Sequence, residues 1–250
     1  MSVASGDYLA AVRALVTRVG EGQAEQKRQA VAILAASVRD GGVIQAFGCG
    51  HSEALAMEIA GRAGGLVPTN RIALRDVVLF GGDDVEVLAD PMIERGTEIA
   101  HRLYDLAAVK PDDAFVIASN SGVNGAVVEM ALLAKQRDHG LIAITSAEHS
   151  AAVASRHPSG RKLGEIADVV LDNGAPYGDA TLPLPVGGAV GAVSSITAAL
   201  LAQQIVTDVV AALLEAGETP PVYLSDNVLG GKEHNAELEA RYAGRIRRIA

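Results

Sequence analysis

Five short runs, each apolar nearly throughout, recur along this chain with helical segments between them: "GGVIQAFGCG", "RIALRDVVLF", "DAFVIASNSG", "GLIAITSAEHS" and "ADVVLDN". A strand that is apolar on both faces must be covered on both faces. Such strands pack as a parallel sheet whose crossovers are helices. The fold expected is α/β, a doubly wound three-layer αβα sandwich on a five-stranded parallel sheet. Between the runs, helical spacing predicts helices over Glu53 to Ala63, closed by Gly64 and Gly65, over about Met92 to Ala108, over Val127 to Arg137 and over Val193 to Glu215.

Residues 1–40 carry Leu9, Val12, Leu15, Val16, Val19, Val31, Leu34, Ala35 and Val38 at helical spacing and read as a helical lead-in. Residues 42–215 form the αβα core, and residues 216–250 a polar tail of the same single domain. The chain has 250 residues, 49% hydrophobic and 20% charged, with a net charge of −9. No basic cluster precedes the Arg-rich "RYAGRIRRIA", so nucleic-acid binding lacks its electrostatic footprint. A lone Cys49 forms no intrachain disulfide and fits a reducing compartment. The start lacks a signal-peptide layout, so a cytoplasmic protein is expected. The charge-free stretch from Ala180 to Thr207 is interrupted by Gly187, Gly188, Gly191, Ser194, Ser195, Gln203 and Gln204. It reads as a buried helix rather than a membrane span.

In doubly wound sheets ligands bind beyond the carboxyl ends of the strands, at the topological switch point. Three strand-ending turns carry hydroxyl residues: "GCGHS", "SNSGVN" and "ITSAEHS". Gly48 and Gly50 allow close backbone approach, and the helix starting near Ser52 aims unpaired N–H groups at the crevice. Ser119, Ser121 and Asn124 add side-chain donors near Gly122. Two such turns could bind a phosphate with hydroxyls and amides, without Lys or Arg. The dinucleotide fingerprint fails, because its sixth position is Glu53, and no P-loop is present. No histidine pair has H-x-x-x-H spacing, so neither a metal nor a cofactor is expected.

The turns "GCGHS" and "SNSGVN", the strand-turn "ITS" and the helix opening "VGAVSS" resemble the SIS (sugar isomerase) domain. With "HPSGRKL", "ADVVLDNGAPYGDA" and "GGKEHN" the chain is similar to the UPF0309 subfamily of that group. The resemblance implies a flavodoxin-like sheet and a phosphosugar cradle of Gly50, His51, Ser52, Ser119, Asn120, Ser121 and Asn124. Ser146 and Ser150 are implied on its third side. His51 departs from the Thr or Gly common before that serine. The resemblance also implies a homodimer or homotetramer whose tail can complete the partner's site, which leaves Lys232 and His234 to act in cis or in trans.

Aldose–ketose isomerisation needs a carboxylate or imidazole that reaches two neighbouring carbons. Glu58, one turn along the helix above the first ligand turn, is the leading carboxylate, with Arg62 at i+4 beside it; His234 is the second candidate. His157, Arg161 and Lys162 form a possible lid, and His101, His139 and His149 lie on a helix face, a helix end and a loop. The expectation is a sugar-phosphate isomerase; a non-catalytic phosphosugar sensor and a sugar-phosphate ether lyase are the alternatives.

Overall fold

The computed structural model describes residues 3–248; the outermost residues of the expected lead-in and tail, 1–2 and 249–250, lie outside the described residues. Strands β1 (Ile44–Gly48), β2 (Thr69–Ile72), β3 (Ala114–Ala118), β4 (Gly140–Thr145) and β5 (Val169–Asp172) form one sheet in the order β2-β1-β3-β4-β5. Every pairing within it is parallel. The order reverses between β1 and β3, which is the switch point where a crevice opens.

Alternation along the strands divides the core in two. Ile44, Ala46, Val116, Ile142, Ile144 and Leu171 face one side, against helices α1 (Ser5–Glu21), α2 (Ala24–Arg39), α3 (Glu53–Ile59) and α9 (Ser194–Glu215). Phe47, Ile72, Phe115, Ile117, Leu141 and Ala143 face the other. They meet α4 (Asp76–Leu79), α5 (Glu98–Leu106), α6 (Gly125–Gln136) and α8 (Leu163–Ile166). Helix α7 (Ala147–Ala152) follows β4 directly.

Several boundaries differ from the sequence expectation. Helix α3 ends at Ile59, four residues early, because the chain turns extended at Ala60 and Gly61 takes φ +75°. The run "RIALRDVVLF" is half strand, half helical turn, since the Asp76 carboxylate accepts the Ala73 N–H at 3.1 Å and starts α4. Helix α5 begins at Glu98 rather than Met92, after 3-10 turns at Val85–Ala89 and Ile93–Arg95. The charge-free stretch holds a small antiparallel hairpin, β6 (Ala180–Pro183) and β7 (Ala189–Ala192), before α9 starts. By length and composition α9 could cross a membrane, yet Leu201, Ala202, Ile205, Val206, Val209 and Leu213 are buried against the sheet and its neighbours.

The tail folds back on the amino-terminal end of the sheet. Residues 221–224 bond to the segment before β2, and helix α10 (Gly231–Ala240) packs on them. Arg245 pairs with the fully buried carboxylate of Asp113, which also accepts Val43 N–H and Gln45 Nε2 at 2.9 Å each. Gln45 Oε1 accepts Asn70 Nδ2 at 3.0 Å, and Asn70 Oδ1 accepts the Arg247 N–H. Arg248 donates to the Val67 and Thr69 carbonyls at 2.8 and 2.9 Å. The Arg-rich tail is therefore a clamp on the sheet.

Candidate functional site

A narrow crevice of about 20 Å³ lies at the carboxyl end of the sheet, between the turns that follow β1 and β3 and the start of α9. Gly48 ends β1 where a Cβ would stand 2.4 Å from the Ser52 carbonyl, so only glycine lets the chain fold back into the 3-10 turn Gly50–Ser52. Gly122 turns the second loop with φ +68°, and a Cβ there would already press on Leu163 Cβ at 3.3 Å. Of the residues expected in the cradle, His51, Ser52, Ser119 and Asn120 line the crevice. No Lys, Arg, Asp or Glu is among its lining residues.

Each side chain has a distinct state of engagement. Ser119 Oγ accepts the Gly122 N–H at 3.1 Å, which closes the loop and leaves its own hydroxyl proton to donate. Asn120 is fixed by Asn173 Nδ2, at 3.0 Å to its Oδ1, and it donates to His149 Nδ1 at 3.3 Å. Ser52 makes no side-chain cap on α3. Both ends of the Asn124 amide are occupied: Nδ2 donates to Glu94 at 2.8 Å and Oδ1 accepts from Arg156 at 3.0 Å. Asn124 thus braces the loop from behind. Ser146 is buried and equally committed, donating to the Ala175 carbonyl at 2.6 Å and capping α7 through His149 N–H at 2.9 Å. Ser121 and Ser150 flank Gly122 outside the crevice lining.

Three lining residues escaped the sequence reading: Asn173 after β5, and Ser194 and Ser195 at the start of α9. Asp179 accepts the Ser194 N–H at 2.8 Å and its hydroxyl at 2.6 Å, anchoring the amino end of this 22-residue helix at the crevice. The positive end of that helix is met by the Asp179 carboxylate, and the crevice itself is lined by neutral side chains.

Glu58 does not line the crevice. It lies one turn beyond Leu55, in the groove between α3 and α9, with Gln203 Nε2 at 2.8 Å from its Oε1 and Arg62 ion-paired to it. Both partners donate to its carboxylate. His234 lies at the opposite end of the sheet within one chain, bonded to the Val222 carbonyl at 3.0 Å. Lys232 lines a separate polar hollow there with Tyr223, Asp226 and Glu239. Burial pushes up the Cys49 thiol, with Glu94 and Glu53 adding to the effect, so it is a poor nucleophile.

The SIS domain family model matches residues 7–146, more than half of the chain. The chain belongs to the SIS domain family. Its relatives include the UPF0309 protein lmo0025 of Listeria monocytogenes, 41% identical over 94% of this chain and 95% of that protein. Another is the UPF0309 protein TTE0306 of Caldanaerobacter subterraneus subsp. tengcongensis, 33% identical over 97% of this chain and 98% of its own length. Among solved structures, the phosphoheptose isomerase GmhA of Neisseria gonorrhoeae superposes with TM-score 0.55 at 19% identity, covering 82% of this chain and 96% of that one. A phosphoheptose isomerase of Francisella tularensis gives 0.53 at 16% identity, covering 81% and 96%. At these identities the solved structures establish a shared fold. The part of this SIS chain that carries the crevice turns after β1 and β3 lies inside the matched segment.

Proposed function

We propose that this SIS protein binds a sugar phosphate at the crevice and interconverts its aldose and ketose forms by proton transfer through Glu58. The observation that carries the reading is the neutral crevice itself: hydroxyls of Ser52, Ser119 and Ser195, two glycine turns and the α9 amino terminus converge where the strand order reverses. That set suits a phosphate dianion, whose oxygens accept several hydrogen bonds at once. In this reading the crevice takes the phosphate end and the sugar extends toward α3 and Glu58. Glu58 stands about 4.5 Å further along the helix than Leu55, a spacing suited to the sugar carbons.

The same reading includes a homodimer. Exposed on α9 and α3 beside the crevice are Ile196 and Met57, at 40% and 53%, and Leu214 at the far end of α9 is 59% exposed. A two-fold axis across the middle of α9, about 33 Å long, brings the crevice end of one copy beside the tail end of the other. Lys232 and His234 of a second copy then approach the cradle, which is how the tail acts in trans in this proposal. We assign the protein to the cytoplasm on its single free thiol.

A phosphosugar sensor is the competing reading, favoured by one observation: Arg62 and Gln203 already occupy Glu58. The deciding experiment follows solvent deuterium into C1 and C2 of sugar phosphates that raise the melting temperature. Exchange by the wild type, abolished in Glu58→Gln, supports the isomerase. A tightly bound sugar phosphate with no exchange overturns catalysis in favour of sensing.

A further inference from the structure

The segment between α7 and α8, residues 153–162, runs behind the second crevice turn as a strap. It touches that turn at three points. Arg156 N–H donates to the Val123 carbonyl at 3.0 Å, Arg156 Nη1 to Asn124 Oδ1 at 3.0 Å, and Leu163 N–H, just past the strap, to the Gly122 carbonyl at 2.9 Å. Lys162 adds a bond to the Ser150 carbonyl at 2.6 Å. Most of the strap is exposed, so few apolar contacts hold it in place.

Its middle is pinned by a single buried imidazole. His157 has a side chain only 6% exposed, and its ring is fixed on both nitrogens. Nδ1 lies 2.8 Å from the Ser159 hydroxyl and accepts the Ser159 N–H at 3.1 Å; with Nδ1 as the acceptor the ring proton is assigned to Nε2, 2.7 Å from Glu129 Oε2. The other oxygen of Glu129 takes His101 Nε2 at 2.8 Å. Glu129 stands on α6, the helix that Asn124 begins. The turn and the pin that holds its strap are therefore mounted on one rigid element.

We propose that His157, held in one tautomer by Glu129, is a positioning residue for the ligand turn at Ser119–Asn124: it seats the strap so that Gly122 and Asn124 are held from behind. The inference rests on reading that turn as the phosphate cradle. A carboxylate shared by two imidazoles fixes the ring orientation more tightly than apolar packing does, because both nitrogens of His157 are assigned. What the pin supplies is the height of the turn.

The test compares His157→Leu, which keeps bulk and loses the Nε2–H donor, with His157→Gln, whose amide restores a donor near that point. In the full-length protein the backbone amide signals of Ser121 and Gly122 shift in the Leu variant and return toward wild type in the Gln variant. Inorganic phosphate, followed by the same signals, binds about tenfold more weakly to the Leu variant, as expected for one lost bond acting through the turn. His101→Ala, which leaves the inner pair intact, stays within about twofold on the same basis. If His157→Leu does not fold, Glu129→Ala breaks the same bond from the other side and is read in the same way. Unmoved amide signals, or a Gln variant as perturbed as Leu, overturn the proposal. Absent phosphate binding by the wild type counts against the cradle reading, and the amide shifts still decide the strap.

Discussion

The two ends of the same sheet use polar atoms in opposite ways. At the amino end, Asp113 is fully buried and surrounded by four donors, Val43 N, Gln45 Nε2, Lys110 N and Arg245, and Gln45 and Asn70 continue the network to the Arg247 backbone. At the carboxyl end the crevice is lined by neutral hydroxyls and amides, and Ser52 and Ser195 keep hydroxyls free of any cap. A buried charge is tolerable when every partner is supplied by the fold, and it then resists change. Donors without partners in the fold are what a ligand can use. In this molecule charge marks the closed end and unspent neutral donors mark the open one.

Five substitutions test that contrast, taken from the strongest. Glu58→Gln is expected to cut sugar-phosphate turnover by about 10² to 10⁴ while leaving affinity almost unchanged; steady-state kinetics and calorimetric binding on the same preparation separate the two. Next, Arg245→Ala strips a partner from the buried Asp113 carboxylate and should lower unfolding free energy by about 3 kcal/mol, read from urea midpoints, with phosphate affinity intact. A stability loss confined to a few tenths of that, or a parallel loss of affinity, would erase the distinction between the ends.

Ser52→Ala and Ser119→Ala act at the open end, each weakening phosphosugar binding by about 1 to 3 kcal/mol. Ser52→Ala should also melt near wild type, because its hydroxyl caps nothing in the fold. The weakest effect concerns His139, buried near the amino end between the Asp113 carbonyl, at 2.9 Å from Nδ1, and the Tyr104 hydroxyl, at 2.6 Å from Nε2. Burial lowers its pKa below the ordinary value of 6.5. The unfolded chain therefore takes up a proton first as pH falls, and the stabilising contribution of neutral His139 is present above about pH 6.5 and lost below it, by at most about 1.4 kcal/mol per pH unit. Urea titrations at pH 7 and pH 5.5 should show a steeper decline in wild type than in His139→Gln.

Much of the carboxyl end was legible because its determinants are local. Gly48, Gly50 and Gly122 sit beside the serines they position, and the apolar runs that end in them identify the strands. What escaped reading depends on distant pairs. Asn124 looks like a free donor until Glu94 and Arg156 close on its two ends, and Ser146 until Ala175 takes its proton. Asn173, Ser194 and Ser195 reach the crevice from elements far along the chain. The arginines of "RYAGRIRRIA" read only as part of a polar tail because nothing nearby in sequence announces Asp113 or the carbonyls before β2. The helix stop was misplaced by four residues because Gly61 and Gly64 both adopt left-handed backbone, at φ +75° and +81°, and periodicity alone does not choose between them.

The bond between Arg245 and Asp113 joins residues 132 apart in the chain. At a synthesis rate of about 5 to 20 residues per second, roughly 7 to 26 s separate the emergence of the two. Strands β3, β4 and β5 are made within that interval, the last by residue 172, while the carboxylate at the base of the central pair awaits its cation. The sheet of this protein is thus assembled early and sealed late. A nascent chain halted before residue 245 should display a sheet whose upper, ligand-facing turns are formed and whose lower edge still opens to exchange, making the time of translation itself part of how the fold is completed.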